Sequence, residues 1–157
     1  MTSIEIGTLA PEITLLDQDG NLFDSKSIKG KKHLVIYFYP KAMTPGCTTQ
    51  ACGINDYEAQ FQALETMVVG VSPDEPAKLR KFADKYHLEF PLLSDPELVA
   101  AKDYDVWGMK KFMGREFMGI IRSTFIIDKK GTLRHILKKV NTKTHNDDLI
   151  TYIKNNL

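Results

Sequence analysis

The sequence predicts an α/β fold in which a mixed central β-sheet is flanked by helices. Two near-continuous apolar runs, "KHLVIYFY" at 32–39 and "MVVGVS" at 67–72, are typical of strands that are buried on both faces. Each run is followed by apolar residues at helical spacing, and this alternation favours parallel strands. A late stretch, 120–140, predicts a hairpin that turns at Lys130 and Gly131, so the sheet should be mixed rather than wholly parallel.

The individual elements follow from local signals along the chain. The stretch 12–28 predicts an N-terminal β-hairpin, because the turn pair Asp19-Gly20 lies between apolar positions. Pro40 ends the first buried strand, and from Pro45 the pattern becomes helical. The predicted core positions of that helical stretch are Ala51, Ile54, Phe61 and Leu64, and the later elements are a helix at 76–87, a short strand at 90–95, and helices at 96–104 and 144–157.

The stretch 106–119, "VWGMKKFMGREFMG", is aromatic, basic and interrupted by glycines. It shows no clear hydrophobic period, so we predict a loop. Its aromatic residues Trp107, Phe112 and Phe117 either pack within that loop or belong to a surface that binds a partner.

Length and composition exclude several classes of protein. At 157 residues the chain has the size of one domain, 1–157, and its net charge of +1 gives no basis for binding nucleic acid. No apolar stretch approaches the ~20 residues that span a bilayer, and the first residues lack the pattern of a signal peptide. We therefore expect a cytoplasmic protein.

The four histidines do not predict a metal site. They are dispersed, and none stands at ligand spacing from a cysteine or from another histidine. We predict that His33, His87, His135 and His145 are surface or core residues and that the chain uses no metal or other cofactor. A hydrolase of the Cys–His type would need a histidine beside the nucleophile, and the sequence identifies none.

The only two cysteines, Cys47 and Cys52, lie in "TPGCTTQACG", directly after the first buried strand. Pro45 suits the first turn of a helix and Thr44 suits its N-cap, so Cys47 should lie in the first turn. The backbone N–H groups and the dipole at that end of a helix favour a thiolate. The alternative is that Cys47 is simply a small buried apolar residue.

The spacing of the two cysteines predicts that they cannot bond while the helix is intact. Residues five apart on an ideal helix have Cα atoms ~8.7 Å apart, whereas a disulfide requires less than ~7 Å. Local unwinding would bring the two thiols together, and Gly53 is either a weak point for that unwinding or a site of close packing. A conditional disulfide suits a catalytic cycle better than a structural role.

In this segment the sequence resembles the peroxiredoxins and, within them, the Q-type or bacterioferritin comigratory protein branch. The stretch "YFYPKAMTPGCTTQAC" carries the family pattern P-x-x-x-T-x-x-C as Pro40, Thr44 and Cys47. The resemblance implies a thioredoxin-like fold and a thiol-dependent peroxidase that reduces hydrogen peroxide and organic hydroperoxides. It covers nearly the whole chain, through "GVSPDEPAKLRKFADKY", "FPLLSDPE", "YDVWGMKKFMG" and "GIIRSTFIID".

The same resemblance implies the roles of individual residues. Cys47 matches the peroxidatic position, which is oxidised to a sulfenic acid, and Cys52 matches the resolving position, which then forms a disulfide with it. Arg122 matches the active-site arginine, although a strand arginine could instead pair with an acidic neighbour on a solvated face. Many relatives have Glu where this chain has Gln50, and a neutral amide has no charge with which to hold Arg122.

Thiolate formation alone does not account for peroxidase catalysis. Lowering the pKa of a thiol increases its thiolate fraction but decreases its nucleophilicity, and near neutral pH the two effects nearly cancel. Stabilisation of the transition state must therefore supply most of the rate. The predicted donors are the Thr44 hydroxyl, the backbone N–H groups of Gly46 and Cys47, and Arg122, while Pro40 shields the thiolate from water; the alternative for Thr44 is a helix cap only.

Two functions from different classes remain open at this point. The first is a peroxidase that is regenerated by thioredoxin or a similar dithiol reductant and acts as a monomer, as Q-type relatives often do. The second is a non-enzymatic, redox-responsive binding module, in which the Cys47–Cys52 bond switches a surface.

Overall fold

The structure, a computed structural model, describes residues 4–138, 142 and 144–157. In these ranges it forms nine strands and five α-helices, with one turn of 3-10 helix after the second strand. The strands are β1 (Thr14–Leu16), β2 (Leu22–Asp24), β3 (His33–Phe38), β4 (Thr66–Ser72), β5 (Leu92–Ser94), β6 (Trp107–Phe112), β7 (Arg115–Ile120), β8 (Ser123–Ile127) and β9 (Leu133–Leu137). The helices are α1 (Pro45–Asp56), α2 (Glu58–Ala63), α3 (Pro76–Tyr86), α4 (Val99–Asp103) and α5 (His145–Asn156).

Seven strands form one mixed sheet in the order β2-β1-β5-β4-β3-β8-β9. Strands β3, β4 and β5 are parallel, and β1, β8 and β9 join the sheet in antiparallel pairs. The predicted mixed sheet is therefore confirmed. Both predicted hairpins are present as well, with Gly20 and Gly131 in the left-handed conformation at their turns (φ 78° and 85°).

Strand β3 lies inside the sheet and is buried on both faces because nearly all of its side chains are apolar. Successive side chains of a strand point to opposite faces, so Val35 and Tyr37 enter one core cluster and Ile36 and Phe38 the other. Burying each large apolar side chain contributes ~1.5–3 kcal/mol. The end of β3 is thereby fixed between two cores, and from there the chain turns into α1.

The helices are distributed unequally over the two faces of the sheet. Helices α1, α2, α3 and α5 pack on the face that holds Tyr37, whereas α4 packs on the face that holds Phe38. Ile54 of α1 and Phe82 of α3 are fully buried in the first of these layers. Helix α5 lies beside α1 in the same layer, and its first residue, His145, reaches α1.

The helical stretch predicted after the first buried strand is two helices rather than one. Helix α1 ends one residue before Tyr57 and α2 begins one residue after it, because Tyr57 leaves helical geometry (φ −102°, ψ 9°). The predicted core positions are nevertheless correct. Ala51, Ile54 and Phe61 are fully buried, and Leu64 packs against the same cluster.

The prediction of a loop at 106–119 is wrong. Strands β6 and β7 pair as an antiparallel ribbon that is separate from the main sheet. Its turn is Met113-Gly114, and both residues have positive φ (51° and 79°), as in the favoured two-residue hairpin turns.

Sequence analysis did not predict the ribbon because its two faces are similar in their exposure of apolar residues. Met109 and Met118 lie opposite each other on one face, Phe117 lies on the other, and all three are exposed. Because apolar residues are exposed on both faces, no alternation of polar and apolar residues marks a buried face. Trp107, at the base of the ribbon, packs partly buried against the core, and the side chain of Phe112 lies outside the described residues.

Lys139 and Val140, the last residues of the predicted late hairpin, lie outside the described residues. None of the helices in the described ranges has the length and apolar character that a bilayer-crossing segment requires.

Candidate active site

The candidate site forms where the chain turns from the end of β3 into α1. Met43 adopts the left-handed conformation in this turn (φ 72°), and Thr44 occupies the N-cap position with extended geometry. The Thr44 hydroxyl makes no cap bond and donates instead to the carbonyl of Lys41 at 2.8 Å. Thr44 is therefore the predicted N-cap by position, but the predicted capping hydrogen bond is absent.

The first amides of α1 have no side-chain cap as a result. In the described part of the chain, the Thr48 amide is the first in this helix to find a backbone acceptor, the Thr44 carbonyl at 2.9 Å. The amides of Gly46 and Cys47 come before it and have no acceptor among the described residues. They form the positive end of the helix dipole, which attracts anions and oxyanions.

Asp74, in the loop after β4, holds the turn that precedes α1. Its Oδ2 accepts from the Ala42 amide at 2.7 Å and from the Ser72 hydroxyl at 2.9 Å, and its Oδ1 lies 3.3 Å from Lys78 Nζ. The side chain of Asp74 is only 10% exposed, so water competes weakly for these bonds. Sequence analysis missed this carboxylate because no local pattern marks a contact between residues 32 apart.

Cys47 and Arg122, the predicted nucleophile and its arginine, are in contact. The Cys47 side chain is 1% exposed, and Arg122 Nη2 lies 3.1 Å from its sulfur. The guanidinium also covers the first turn of α1, since Nη2 lies 3.6 Å from the position that a Cβ would take at Gly46. A charge-assisted hydrogen bond from arginine stabilises a thiolate.

Gln50 is the second partner of Arg122. It is fully buried, one turn after Cys47, and its Oε1 accepts a hydrogen bond from Arg122 Nη1. The amide oxygen thus gives the arginine an acceptor even without the charge of a glutamate. Arg122 is hydrogen-bonded to a thiol and an amide. The alternative interpretation, in which it pairs with an acidic neighbour on a solvated face, is therefore not supported.

His145 is a residue of this cluster that sequence analysis did not identify. Its ring is buried, with Nδ1 3.3 Å from Gln50 Nε2 and Nε2 2.8 Å from Thr124 Oγ1. Burial, followed by the positive charge of Arg122, lowers the pKa of His145 to about 4. The prediction of a core or surface residue holds, but the 95 residues between His145 and Gln50 leave no sequence signal for their contact.

Cys52 is a half-buried thiol on the same helix, and both cysteines are free. Helix α1 is continuous past both of them, so helical geometry keeps their Cα atoms ~8.7 Å apart. Burial, followed by the negative charge of Asp56, raises the pKa of the Cys52 thiol. The structure brings Cys47 to Arg122 but does not bring Cys47 within bonding distance of Cys52.

Gly53, next to the second cysteine, packs closely against α5. A Cβ at this position would lie 2.4 Å from Asn146 Nδ2, closer than a real carbon can approach. Of the two interpretations of this glycine, the structure therefore supports close packing. Pro40, at the other end of the site, is half-buried where β3 has ended.

A lysine of the β6–β7 ribbon lies close enough to the site to sense its charges. Lys110 is partly buried, and its Cδ lies 3.1 Å from the position that a Cβ would take at Gly119 on the paired strand. Burial and the positive charge of Arg122 lower the pKa of Lys110, and a negative charge on Cys47 acts in the opposite direction.

Within the described ranges, no group of three or more His, Cys, Asp or Glu side chains is arranged to hold a metal ion. The other histidines lie outside the cluster. His87 is exposed, His33 begins β3, and His135 stacks on Tyr152 with ring centroids 4.4 Å apart.

Comparison with known proteins identifies relatives with this architecture. The AhpC/TSA family model matches residues 6–136. The chain is 45% identical to Peroxiredoxin Bcp of Bacillus subtilis, covering 97% of this chain and 96% of that protein, and 42% identical to Peroxiredoxin Bcp of Escherichia coli, covering 98% of each. Among solved structures, Peroxiredoxin Q of Xanthomonas campestris has a TM-score of 0.86 at 32% identity, covering 92% of this chain and 90% of that chain.

The family model includes the turn that carries Cys47, and the structural likeness covers 92% of this chain, so the thioredoxin-like fold implied by the cysteine motif is confirmed. The matches agree with one another in sequence and in structure. The chain belongs to the AhpC/TSA family, in its bacterioferritin comigratory protein or peroxiredoxin Q branch, and is a thiol-dependent peroxidase.

Proposed function

We propose that this peroxidase reduces hydrogen peroxide and organic hydroperoxides at Cys47, closes a Cys47–Cys52 disulfide, and is recycled by thioredoxin or a similar dithiol. The observation that carries the proposal is the 3.1 Å hydrogen bond from Arg122 Nη2 to the Cys47 sulfur at the amino end of α1. A guanidinium in contact with the sulfur stabilises the thiolate that attacks the peroxide, and it also attracts a peroxide oxygen.

In the first step, the thiolate of Cys47 attacks the terminal oxygen of the hydroperoxide. The S–O bond forms as the O–O bond breaks, the sulfur is oxidised to a sulfenic acid, and the departing oxygen takes a proton to leave as water or an alcohol. Negative charge moves from sulfur to the departing oxygen, so donors aimed at that oxygen lower the barrier by ~3 kcal/mol each. The candidate donors are Arg122 and the amides of Gly46 and Cys47.

Thr44 acts as an acceptor in this step rather than as the predicted donor. Its proton is already donated to the Lys41 carbonyl at 2.8 Å, which leaves the lone pairs of Oγ1 available for the O–H of a peroxide. Accepting that proton would turn the terminal oxygen towards the sulfur. Pro40 has no N–H group and therefore offers water no donor beside the thiolate.

In the second step, the Cys52 sulfur attacks the sulfenic sulfur of Cys47, the S–S bond forms, and the hydroxyl group leaves as water. The ~8.7 Å between the two Cα atoms requires local unwinding of α1. Burial is the largest cause of the raised pKa of Cys52, so unwinding that exposes this thiol also lowers its pKa and increases the attacking thiolate. Unwinding thus supplies both proximity and reactivity.

In the last step, a dithiol reductant attacks the disulfide, restores both thiols and leaves as its own disulfide. Because the disulfide forms within one helix, the proposed cycle needs no second copy and can run in a monomer. Regeneration by a dithiol also fits a protein of the cytoplasm, where such reductants keep thiols reduced.

Peroxide consumption in the presence of thioredoxin, thioredoxin reductase and NADPH tests the proposal. The wild-type chain should consume many equivalents of hydrogen peroxide or cumene hydroperoxide. Cys52→Ser should consume one equivalent by oxidising Cys47 and then stall, with the sulfenic acid or its over-oxidised products detected by mass spectrometry. Thr49→Ser, which removes one methyl group from an exposed position of the same helix, is the control and should turn over like wild type.

Two outcomes would contradict the proposal in different ways. Undiminished turnover in Cys52→Ser would exclude the intramolecular disulfide but leave the peroxidase. A wild-type chain that consumed one equivalent and could not be recycled by any dithiol would favour the redox-responsive binding module, in which the disulfide only switches a surface.

A further inference from the structure

His145 is a buried histidine that the proposed cycle does not use. It is the first residue of α5, its side chain is 1% exposed, and both of its ring nitrogens have polar neighbours. Gln50 Nε2 lies 3.3 Å from Nδ1, and Thr124 Oγ1 lies 2.8 Å from Nε2. The ring therefore connects Gln50 of α1, which also binds Arg122, with Thr124 of β8.

The direction of each hydrogen bond in this chain of side chains follows from Arg122. A guanidinium can only donate, so Gln50 must present its Oε1 to Arg122 and its Nε2 to His145. The Gln50 amide donates at Nε2, so Nδ1 of His145 must carry a lone pair. The ring proton is then on Nε2, which donates to Thr124 Oγ1.

We propose that His145 is a positioning residue of the peroxidase site, which fixes the Gln50 amide so that its oxygen holds Arg122 against the Cys47 sulfur. A glutamine amide can rotate by half a turn, and the rotated amide would direct its N–H groups at Arg122. The acceptor-only Nδ1 of His145 opposes that rotation, because it would lose its donor. The inference rests on the proposed role of Arg122 at Cys47.

The same geometry makes Gln50 and His145 a matched pair. A glutamate in place of Gln50 would present a carboxylate to the lone pair on Nδ1, and the repulsion would be relieved by a proton on that nitrogen, through the other neutral tautomer or through a protonated ring, which the carboxylate favours. The residue at position 50 therefore sets the protonation of Nδ1. Here the amide keeps the ring neutral, in agreement with a pKa lowered to about 4 by burial and by Arg122.

Among the residues that the structure describes, Arg122 is the charged group whose field acts on the ring. Tyr37 of β3 lies 5.9 Å away between ring centroids, and burial keeps its pKa well above the usual range, so it stays uncharged. Cys47 lies on α1 in contact with Arg122, and Asp147 and Asp148 lie in the first turn of α5, the helix that begins at His145.

The test measures the rate at which hydrogen peroxide oxidises Cys47, by rapid mixing and mass spectrometry in the absence of a reductant. His145→Leu removes the acceptor and should slow this step by about tenfold or more through misplacement of Arg122. His145→Asn, whose Oδ1 can replace Nδ1, should recover most of the loss. His135→Leu is the matched control on β9 and should stay within about twofold of wild type, since that ring stacks on Tyr152 instead.

A rate in folded His145→Leu within about twofold of wild type would overturn the inference. Should that variant fail to fold, Gln50→Glu decides. The new carboxylate should raise the pKa of His145 and give the oxidation rate a titration between about pH 5 and 8 that wild type lacks and that Gln50→Glu/His145→Asn loses. Absence of that titration, with Nδ1 still unprotonated in the nitrogen-15 spectrum of Gln50→Glu, would also overturn the inference.

Nitrogen-15 NMR of the wild-type ring gives a readout that does not depend on peroxidase activity. The expected form is neutral, with the proton on Nε2, across the neutral pH range. A protonated Nδ1 would refute the positioning role even if the peroxidase is fully active. Failure of the peroxide assay in wild type would refute the proposed function, but it would not change what this spectrum says about the ring.

Discussion

The two ends of helix α1 are held by different kinds of contact. At the amino end, Cys47 and Gln50 are buried beside Arg122 through directional hydrogen bonds. At the carboxyl end, Ile54 is fully buried in the core, and Asn55 binds the loop after α3 by donating to the His87 carbonyl at 2.9 Å and accepting from the Glu89 amide at 2.8 Å.

This difference explains how one helix can both hold a thiolate and release it. Oxidation to a sulfenic acid removes the negative charge on Cys47, and with it the strongest part of its bond to Arg122. The contacts of Ile54 and Asn55 do not involve the sulfur and are unchanged by its oxidation. Unwinding that follows oxidation should therefore begin at the amino end and leave the side-chain contacts of Ile54 and Asn55 in place.

The largest effect expected at the amino end comes from removing the sulfur itself. Cys47→Ser should abolish peroxidase turnover, because a serine hydroxyl is not appreciably ionised near neutral pH. Peroxide consumption measures this directly, and Cys52→Ser, which keeps the peroxidatic thiol, is the comparison. Turnover in Cys47→Ser at about a tenth of wild type or more would rule out this residue as the nucleophile.

Removing the arginine should have the next largest effect. Arg122→Ala should slow the oxidation of Cys47 by ~100- to 1,000-fold, the range for losing one donor to a developing charge. Rapid mixing with hydrogen peroxide isolates this step. Arg115→Ala, on an exposed position of β7, is the matched control and should keep the wild-type rate. Equal rates in the two variants would mean that Arg122 serves structure only.

Hydrogen exchange tests whether the side-chain contacts at the carboxyl end of α1 survive the unwinding. Residues 46–56 should lose protection by about 100-fold in the disulfide form relative to the dithiol form, because the α1 hydrogen bonds open. The Glu89 amide should keep its protection, because its acceptor is Asn55 at the anchored end. Loss of protection at Glu89 together with 46–56 would show that the carboxyl end of α1 is not anchored in the disulfide form. Equal protection of 46–56 in both forms, with the disulfide confirmed by mass spectrometry, would exclude unwinding altogether.

The smallest expected effect concerns Gly53, between the two ends. Gly53→Ala should lower the free energy of unfolding by about 1–2 kcal/mol, since overpacking against Asn146 outweighs the gain of about 1 kcal/mol in helix propensity. Urea unfolding measures it, and Gly53→Ala/Asn146→Ala should show less damage than the two single effects added, because the clash is gone. A more stable Gly53→Ala protein would show instead that this glycine is a weak point without a packing role.

Much of the fold could be predicted because its signals are local. The apolar run of β3 indicated a strand buried on both faces, and Pro45 marked the start of α1. The contact of Cys47 with Arg122 is a different case, because residues 75 apart could be matched only through resemblance to a family. Periodicity and spacing alone would not have paired them.

The parts that could not be predicted depend on contacts between distant residues. Asp74 reaches the Ala42 amide, and His145 reaches Gln50, across separations of 32 and 95 residues. The break at Tyr57 is local but unmarked, since no glycine or proline interrupts the helix there. Sequence patterns report which face of an element is buried, and none of these features changes that pattern.

The β6–β7 ribbon affects how this chain behaves at high concentration. In the described part of the chain neither β6 nor β7 pairs with a further strand, so both outer edges present backbone groups that another copy could pair with. The net charge of +1 gives little long-range repulsion between copies at neutral pH. Lys111, Arg115 and Glu116 place charges of both signs beside the turn of the ribbon. Colloidal stability therefore depends on these few local charges rather than on the charge of the whole molecule.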